Sequence, residues 1–234
     1  MTKLKCKVIS IKSINNTTIY RVLLLPQGQF SFRAGQYLML TIDKYNKRPF
    51  SIVSIPSEKK ILELHINASK CHLYNIQVMK QINKKNNINI DIPYGQAWFR
   101  EGSQKPMIII TGGTGFSYTR SILYAALKEN PYRDITFYWG SRKLENLYYL
   151  NELKYLAKKY PTVKIIFVIE EFVSHWRGRR GTVLNAVMND FDKLTKYEIY
   201  IAGPFKMAKT AREYFCNEKE AIAEYFYGDA FEFL

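Results

Sequence analysis

The sequence predicts a two-domain β + α/β chain: an antiparallel β-barrel over residues 1–101, then a doubly wound parallel sheet over residues 106–234. Three observations carry that prediction. Short strand-like runs fill residues 3–100 with a single helical interruption. Beyond residue 106, strand-like and helix-like runs alternate. Residues 106–127 read as a buried strand, a glycine-rich turn and a helix in direct succession.

In the first part, Leu4, Cys6 and Val8 alternate with lysines, the period of a half-buried strand. Residues 18–25 are β-branched and apolar, and Pro26 ends them. Ala34-Gly35-Gln36 turns the chain into a strand over 37–42, and the polar run 43–47 forms a loop. Strands follow at 50–55 and 61–66, joined by a turn at Pro56-Ser57-Glu58-Lys59. Leu73, Ile76 and Met79 share one side of a helix over 73–82. Ile88, Ile90 and Ile92 share one face of a strand over 87–92. Many short strands at this spacing predict a small barrel. Residues 100–105 (Arg-Glu-Gly-Ser-Gln-Lys) read as the linker.

In the second part, strands are expected at 107–110, 135–139, 163–169 and 198–202. Helices are expected near 118–128, 147–159, 182–189 and 204–215. The apolar run Met107 to Ile110 is followed at once by Gly112, Gly113 and Gly115. Glycines there permit a tight turn and close approach of a second molecule to the backbone. Ile122, Leu123, Ala126 and Leu127 then mark one helix face. Such a unit aims free N–H groups and a helix dipole at a phosphate. The spacing is neither G-x-G-x-x-G, because Tyr118 stands where the third glycine would be, nor a Walker A loop. On spacing alone, a nucleotide site and a structural turn stay equally open.

Three loops converge at the carboxyl ends of the strands, where open α/β sheets bind ligands: residues 111–116, Gly140-Ser141-Arg142, and Gly203-Pro204-Phe205-Lys206-Met207. Pro204 suits the start of a helix. Arg142 stands where an acid often meets a ribose 2′-hydroxyl. It either tolerates a 2′-phosphate or is a solvated loop charge.

Composition narrows the function classes. The chain has 234 residues, 47% of them hydrophobic, enough for one large or two small cores. No apolar run approaches the ~20 residues of a membrane-spanning helix. The start, Met-Thr-Lys-Leu-Lys-Cys-Lys, has no signal-peptide core, so a cytoplasmic protein is expected. The three cysteines form no Cys-x-x-Cys pair, so neither a disulfide framework nor a metal site is expected; they read as reduced core residues. The net charge of +15 is spread along the chain, with one dense cluster, Trp176-Arg177-Gly178-Arg179-Arg180-Gly181. That pattern favours background bias and attraction of phosphate-bearing small molecules over nucleic-acid or membrane binding. A basic nucleic-acid-binding module stays as an alternative. No extra interface element stands out, so a monomer is expected.

Arg48-Pro49-Phe50-Ser51 on the barrel, paired with Gly112-Gly113-Thr114-Gly115 and Gly203-Pro204, resembles the ferredoxin–NADP reductase superfamily. Phe32-Arg33-Ala34-Gly35-Gln36-Tyr37-Leu38, Glu63-Leu64-His65-Ile66, Gly115-Phe116-Ser117-Tyr118 and Gly228-Asp229-Ala230-Phe231 bring it closer to one branch, the bacterial NAD(P)H:flavin oxidoreductases. The resemblance spans essentially the whole chain. It implies reduction of free riboflavin, FMN or FAD by NADH or NADPH. Flavin would be a loosely bound substrate, with ferric complexes, cobalamins or proteins as later acceptors. The alternative within the superfamily is a tightly flavin-bound reductase serving a protein partner.

The resemblance also assigns residues. Ser51 is the catalytic candidate beside flavin N5. Arg48, Pro49, Phe50, His65, Ile66 and Tyr37 join it as flavin-binding, with Phe50 favoured as barrel core by strand alternation. Gly112, Gly113, Thr114, Gly115, Phe116, Arg142, Gly203 and Pro204 are the NAD(P)H-binding set. Phe116 either stacks near the nicotinamide or plugs its helix. Two departures stand out. Ala202 replaces the cysteine that often precedes Gly-Pro, and no aromatic or basic motif for an FAD adenosine is visible. The tail Phe231-Glu232-Phe233-Leu234 either covers the flavin or packs in the core.

Overall fold

The computed structural model describes residues 1–43, 45–58 and 60–233. Lys44 and Lys59, in two of the expected turns, and Leu234 of the tail lie outside the described residues.

The first part holds β1 (Thr2–Ser13), β2 (Ile19–Gln27), β3 (Tyr37–Thr41), β4 (Lys47–Ser51), β5 (Leu62–Asn67), α1 (Leu73–Lys84) and β6 (Asn87–Tyr94). The strands form one antiparallel sheet in the order β4-β3-β6-β1-β2-β5, rolled into a near-barrel. Its core takes the expected alternating residues, among them Leu4, Cys6, Ile88 and Ile90, and α1 closes it with Val78, Met79 and Ile82. Pro49 is tolerated because β4 is an edge strand.

The strand expected over 50–55 is displaced: β4 ends at Ser51. Ile52 N–H still bonds Gln36 (3.1 Å), but Val53 N–H bonds Glu63 of β5 (2.9 Å). The chain crosses there from one sheet edge to the other, so its buried apolar residues mimic a strand without pairing as one. Of the cysteines, only Cys6 is buried, which pushes its thiol up to about 12. Cys71 is exposed and Cys216 half-buried, which corrects the expectation that all three are core.

The second part holds β7 (Met107–Gly112), α2 (Phe116–Glu129), β8 (Ile135–Ser141), α3 (Leu150–Lys159), β9 (Val163–Ile169), β10 (Arg179–Arg180), α4 (Val183–Asp190), β11 (Glu198–Ala202), α5 (Phe205–Lys219) and β12 (Phe226–Tyr227). The strands are all parallel, in the order β10-β9-β8-β7-β11-β12. One face carries α2 and α3, the other α4 and α5, as a doubly wound sheet requires. Helix α3 starts three residues later than expected, because Leu147 and Tyr148 turn inward before it begins.

The two sheets share a core. Ile14, Ile19, Ala34, Ala97 and Phe99 pack in one cluster with Phe116, Ile122 and Trp139. Hydrogen bonds cross the same boundary, among them Tyr118 O–H to the Ala97 carbonyl (2.6 Å) and Ser121 O–H to the Ser54 carbonyl (3.0 Å). Among the described residues, no helix is long and apolar enough to cross a membrane.

Candidate active site

The glycine turn after β7 is built by sterics on one side and left open on the other. A Cβ on Gly115 would sit 2.4 Å from the Ala202 carbonyl oxygen, so only glycine lets the turn lie against the end of β11. Gly113 has φ +55° with open space where a Cβ would point. Trp139 Nε1 donates to the Gly113 carbonyl at 3.2 Å, and Thr119 Oγ1 donates to the Gly115 carbonyl at 3.3 Å. Gly203 and Pro204 close on the same place: a Cβ on Gly112 would be 3.1 Å from Pro204 Cδ. Helices α2 and α5 both start here with no side-chain cap and no acid in the first turn. Their N-terminal N–H groups and dipoles suit an anionic ligand. Arg142 lies just past β8, whose Gly140 is in register with Gly112; its side chain is 78% exposed and paired with Glu171 at 3.1 Å.

The barrel contributes a second set of groups at the end of β4. Tyr37 is the cross-strand partner of Ser51 and stacks on Tyr94, with ring centroids 5.6 Å apart. Among the described residues the half-buried Ser51 hydroxyl makes no hydrogen bond. Arg48 holds its guanidinium 4.4 Å from the ring centroid of Tyr74 on α1, and its Nε is buried without a partner among the described residues. Arg48 and Ser51 each leave hydrogen-bonding capacity unused among the described residues, which fits a ligand rich in hydrogen-bonding atoms, as a flavin ring and ribityl chain are. Pro49 is exposed and Phe50 lies in the barrel core.

Three expected contact residues have buried side chains. Ile66 is wholly buried in the barrel core, because β5 turns that side chain inward. Phe116 is also wholly buried, stacked flat on Trp139 with centroids 4.1 Å apart, the packing expected of a helix plug. The His65 side chain is 0% exposed, so only its backbone reaches the surface. Its ring lies between Tyr148 (5.4 Å, edge-on) and Tyr149 (5.3 Å, stacked). Burial holds the imidazole below its ordinary value, against the pull of Glu63. Burial alone would raise Glu63, but its hydrogen bonds from His65 and Arg21 reverse this and bring it to about 2. The pair is therefore a carboxylate beside a neutral ring.

Two grooves of about 550 and 560 Å³ meet at Arg21; neither includes Ser51 or the glycine turn. Among the described residues no cluster of His, Cys, Asp or Glu could hold a metal ion.

Gly228-Asp229 carried part of the resemblance, but its motif gave Asp229 no role. Asp229 follows β12 and reaches the barrel: a Cβ on Gly95 would lie 3.0 Å from both Asp229 Oδ1 and Tyr37 Cδ1. Glu232 anchors the same turn by accepting from Gln96 N–H at 2.7 Å, and Phe231 packs on Phe226 in the core. Burial, with the Glu232 charge second, raises the Asp229 carboxyl from 3.8 to about 7. Its Oδ1 is buried without a partner among the described residues. The raised value means the fold keeps a proton that the unfolded chain releases. The contribution is intact below pH 4 and lost as pH rises through 7. After allowing for partial solvent access, that loss is roughly 2–3 kcal/mol. Asp229→Asn is expected to remove this slope and to exceed the wild-type stability at pH 8. Urea unfolding at pH 5 and pH 8 measures it, and parallel pH profiles for the two proteins would contradict it.

A family model described as an oxidoreductase NAD-binding domain matches residues 109–213. The chain is 42% identical to an NAD(P)H-flavin reductase of Vibrio harveyi over 236 aligned positions, covering 99% of each protein. It is 41% identical to one of Aliivibrio fischeri, again covering 99% of each. The cytochrome P450 reductase GcoB of Amycolatopsis superposes with TM-score 0.87 at 22% identity, over 97% of this chain and 69% of that one. That likeness concerns the fold, a flavin-type barrel followed by a nucleotide-type sheet. With its full-length identity to two flavin reductases, this chain belongs to the NAD(P)H-flavin reductase family, on the ferredoxin–NADP reductase fold.

Proposed function

We propose that this chain oxidises NADH or NADPH and reduces free riboflavin, FMN or FAD, which it binds and releases as a substrate. Residues 1–101 hold the flavin and residues 106–234 the pyridine nucleotide. The carrying observation is the unspent hydrogen-bonding capacity on β4, Arg48 Nε and the Ser51 hydroxyl, in a chain with two uncapped helices, α2 after the glycine turn and α5 after Gly203-Pro204. The nicotinamide supplies a hydride and flavin N5 accepts it; the chain's share is orientation and electrostatics. Ser51 bonds N5 in either redox state, since a hydroxyl both donates and accepts. Arg48 sets positive charge beside the ring or ribityl chain and favours the reduced, anionic product. Tyr37 flanks the ring. Residues 112–115 with Gly203 and Pro204 seat the nucleotide, and Arg142 meets its ribose end. Ala202 brings no thiol, which leaves Ser51 as the polar group at the reacting atoms.

Loose flavin binding is supported by the lack of a motif for an FAD adenosine. We read the protein as a cytoplasmic monomer that does not bind nucleic acid; its charge of +15 suits anionic nucleotides. Reduced flavin then serves ferric complexes, cobalamins or other acceptors. The test is absorbance at 340 nm on dialysed protein, with NADH or NADPH and with or without each flavin. Oxidation that requires added flavin and saturates with it is the expected result. Oxidation of NAD(P)H by an artificial acceptor without added flavin would assign a tightly held flavin and a protein partner. No oxidation with any flavin would sink the enzyme reading.

A further inference from the structure

The barrel carries Ser51 and the other sheet carries the glycine turn, so their separation depends on how the two halves are held. Strand β5 touches both. Its Glu63 carbonyl accepts from Val53, two residues past Ser51, at 2.9 Å. The Glu63 carboxylate accepts from His65 Nε2 at 3.0 Å, so Nε2 carries the hydrogen. Arg21 holds the other carboxylate oxygen at 2.7 Å. Nδ1 is left as an acceptor, and the Tyr148 O–H donates to it at 3.3 Å across the boundary. Tyr148 is gripped a second time from the barrel side: Asn15 Nδ2 donates to its carbonyl at 2.7 Å. The His65 ring is nearly parallel to Phe116 (9°, 6.3 Å), Phe116 stacks on Trp139, and Trp139 bonds the Gly113 carbonyl. A continuous chain of contacts thus runs from the Ser51 segment to the glycine turn.

We infer that Glu63, His65 and Tyr148 form a latch between the two halves, with His65 a positioning residue that sets the distance between flavin and nicotinamide without touching either. This rests on the hydride-transfer reading above. Glu63 fixes the tautomer, the tautomer selects the Tyr148 hydrogen bond, and the aromatic stack carries the register to Gly113. Each half keeps its own ligand contacts if the latch slips. Misplacement of reacting groups by about 1 Å costs on the order of a hundredfold in rate.

The test uses Tyr148→Phe, which removes one hydroxyl and keeps the ring contacts, and His65→Phe, which keeps a ring and removes both nitrogens. Anaerobic single-turnover reduction of riboflavin by NADH is followed by stopped flow, with affinities measured separately by titration. Both variants are expected to reduce flavin roughly 10- to 100-fold more slowly, with riboflavin and NADH dissociation constants within twofold of wild type. A rate within twofold in Tyr148→Phe, or a loss matched by weaker binding, overturns the latch. Hydrogen exchange of the amides at 113–117 decides it without any activity: faster exchange in Tyr148→Phe is expected, and unchanged exchange overturns it. A wild-type protein that reduces no flavin would remove the functional reading instead, while the exchange result still judges the latch.

Discussion

Ser51→Ala is expected to lower kcat for flavin reduction on the order of a hundredfold while the protein stays folded. The fold should survive because Ser51 pairs with Tyr37 through the backbone and its hydroxyl bonds nothing among the described residues. Alanine leaves that pairing and the half-buried environment intact. What is lost is the one polar side chain assigned to N5, in a site where Ala202 supplies no thiol. The KM for NADH should move little, because the nucleotide contacts lie on the glycine turn and at Gly203 and Pro204. Steady-state kinetics with riboflavin, alongside a thermal melt, measure both halves of the expectation. Turnover at the wild-type rate in a folded variant would falsify the assignment of Ser51.

Arg133→Met is expected to cost 3–5 kcal/mol of stability, the largest fold effect we anticipate from one substitution. Arg133 and Glu198 form an ion pair at 2.9 Å with side chains only 3% and 4% exposed. Arg133 Nε also donates to the Lys105 carbonyl at 3.0 Å, and Glu198 accepts from the Tyr200 hydroxyl at 3.1 Å. That hydroxyl in turn accepts from Arg100 N–H at 3.0 Å. The 100–105 segment is therefore fastened at both ends, not a free tether. Removing the cation leaves a buried carboxylate with one neutral donor, and a domain's whole stability is only about 5–15 kcal/mol. Urea unfolding at pH 7 measures the loss. The double variant Arg133→Met, Glu198→Met should recover most of it, since an apolar pair carries no desolvation penalty. A single variant within 1 kcal/mol of wild type would show the pair to be incidental.

Much of the architecture is local and therefore legible. The run Met107 to Ile110, the glycines and the apolar face of α2 lie within a few turns of each other, so periodicity alone orders them. The four long strands of the second sheet and the helices between them follow for the same reason. Strands β10 and β12 have two residues each, too few to show any period. The end of β4 is hidden because Ile52 and Val53 stay buried while their hydrogen-bond partners change. In the site, Arg48, Ser51 and the glycine turn stand out as motifs. The rings of His65 and Phe116 do not, since residue type leaves open whether a ring faces a ligand or a neighbouring half.

The two-part fold, the strand–turn–helix unit, the Arg48–Ser51 motif and, through their combination, the flavin reductase resemblance are all legible in the chain itself. All of these are written in residue types at short spacing, where backbone sterics and side-chain periodicity act directly. Folding in three dimensions is what brings His65 to Tyr148, 83 residues away, and Arg133 to Glu198, 65 residues away. The same folding buries Asp229 beside Glu232 and raises its carboxyl to about 7. Hydrogen bonding and desolvation depend on what surrounds a group in space, and those surroundings come from segments far apart in the chain.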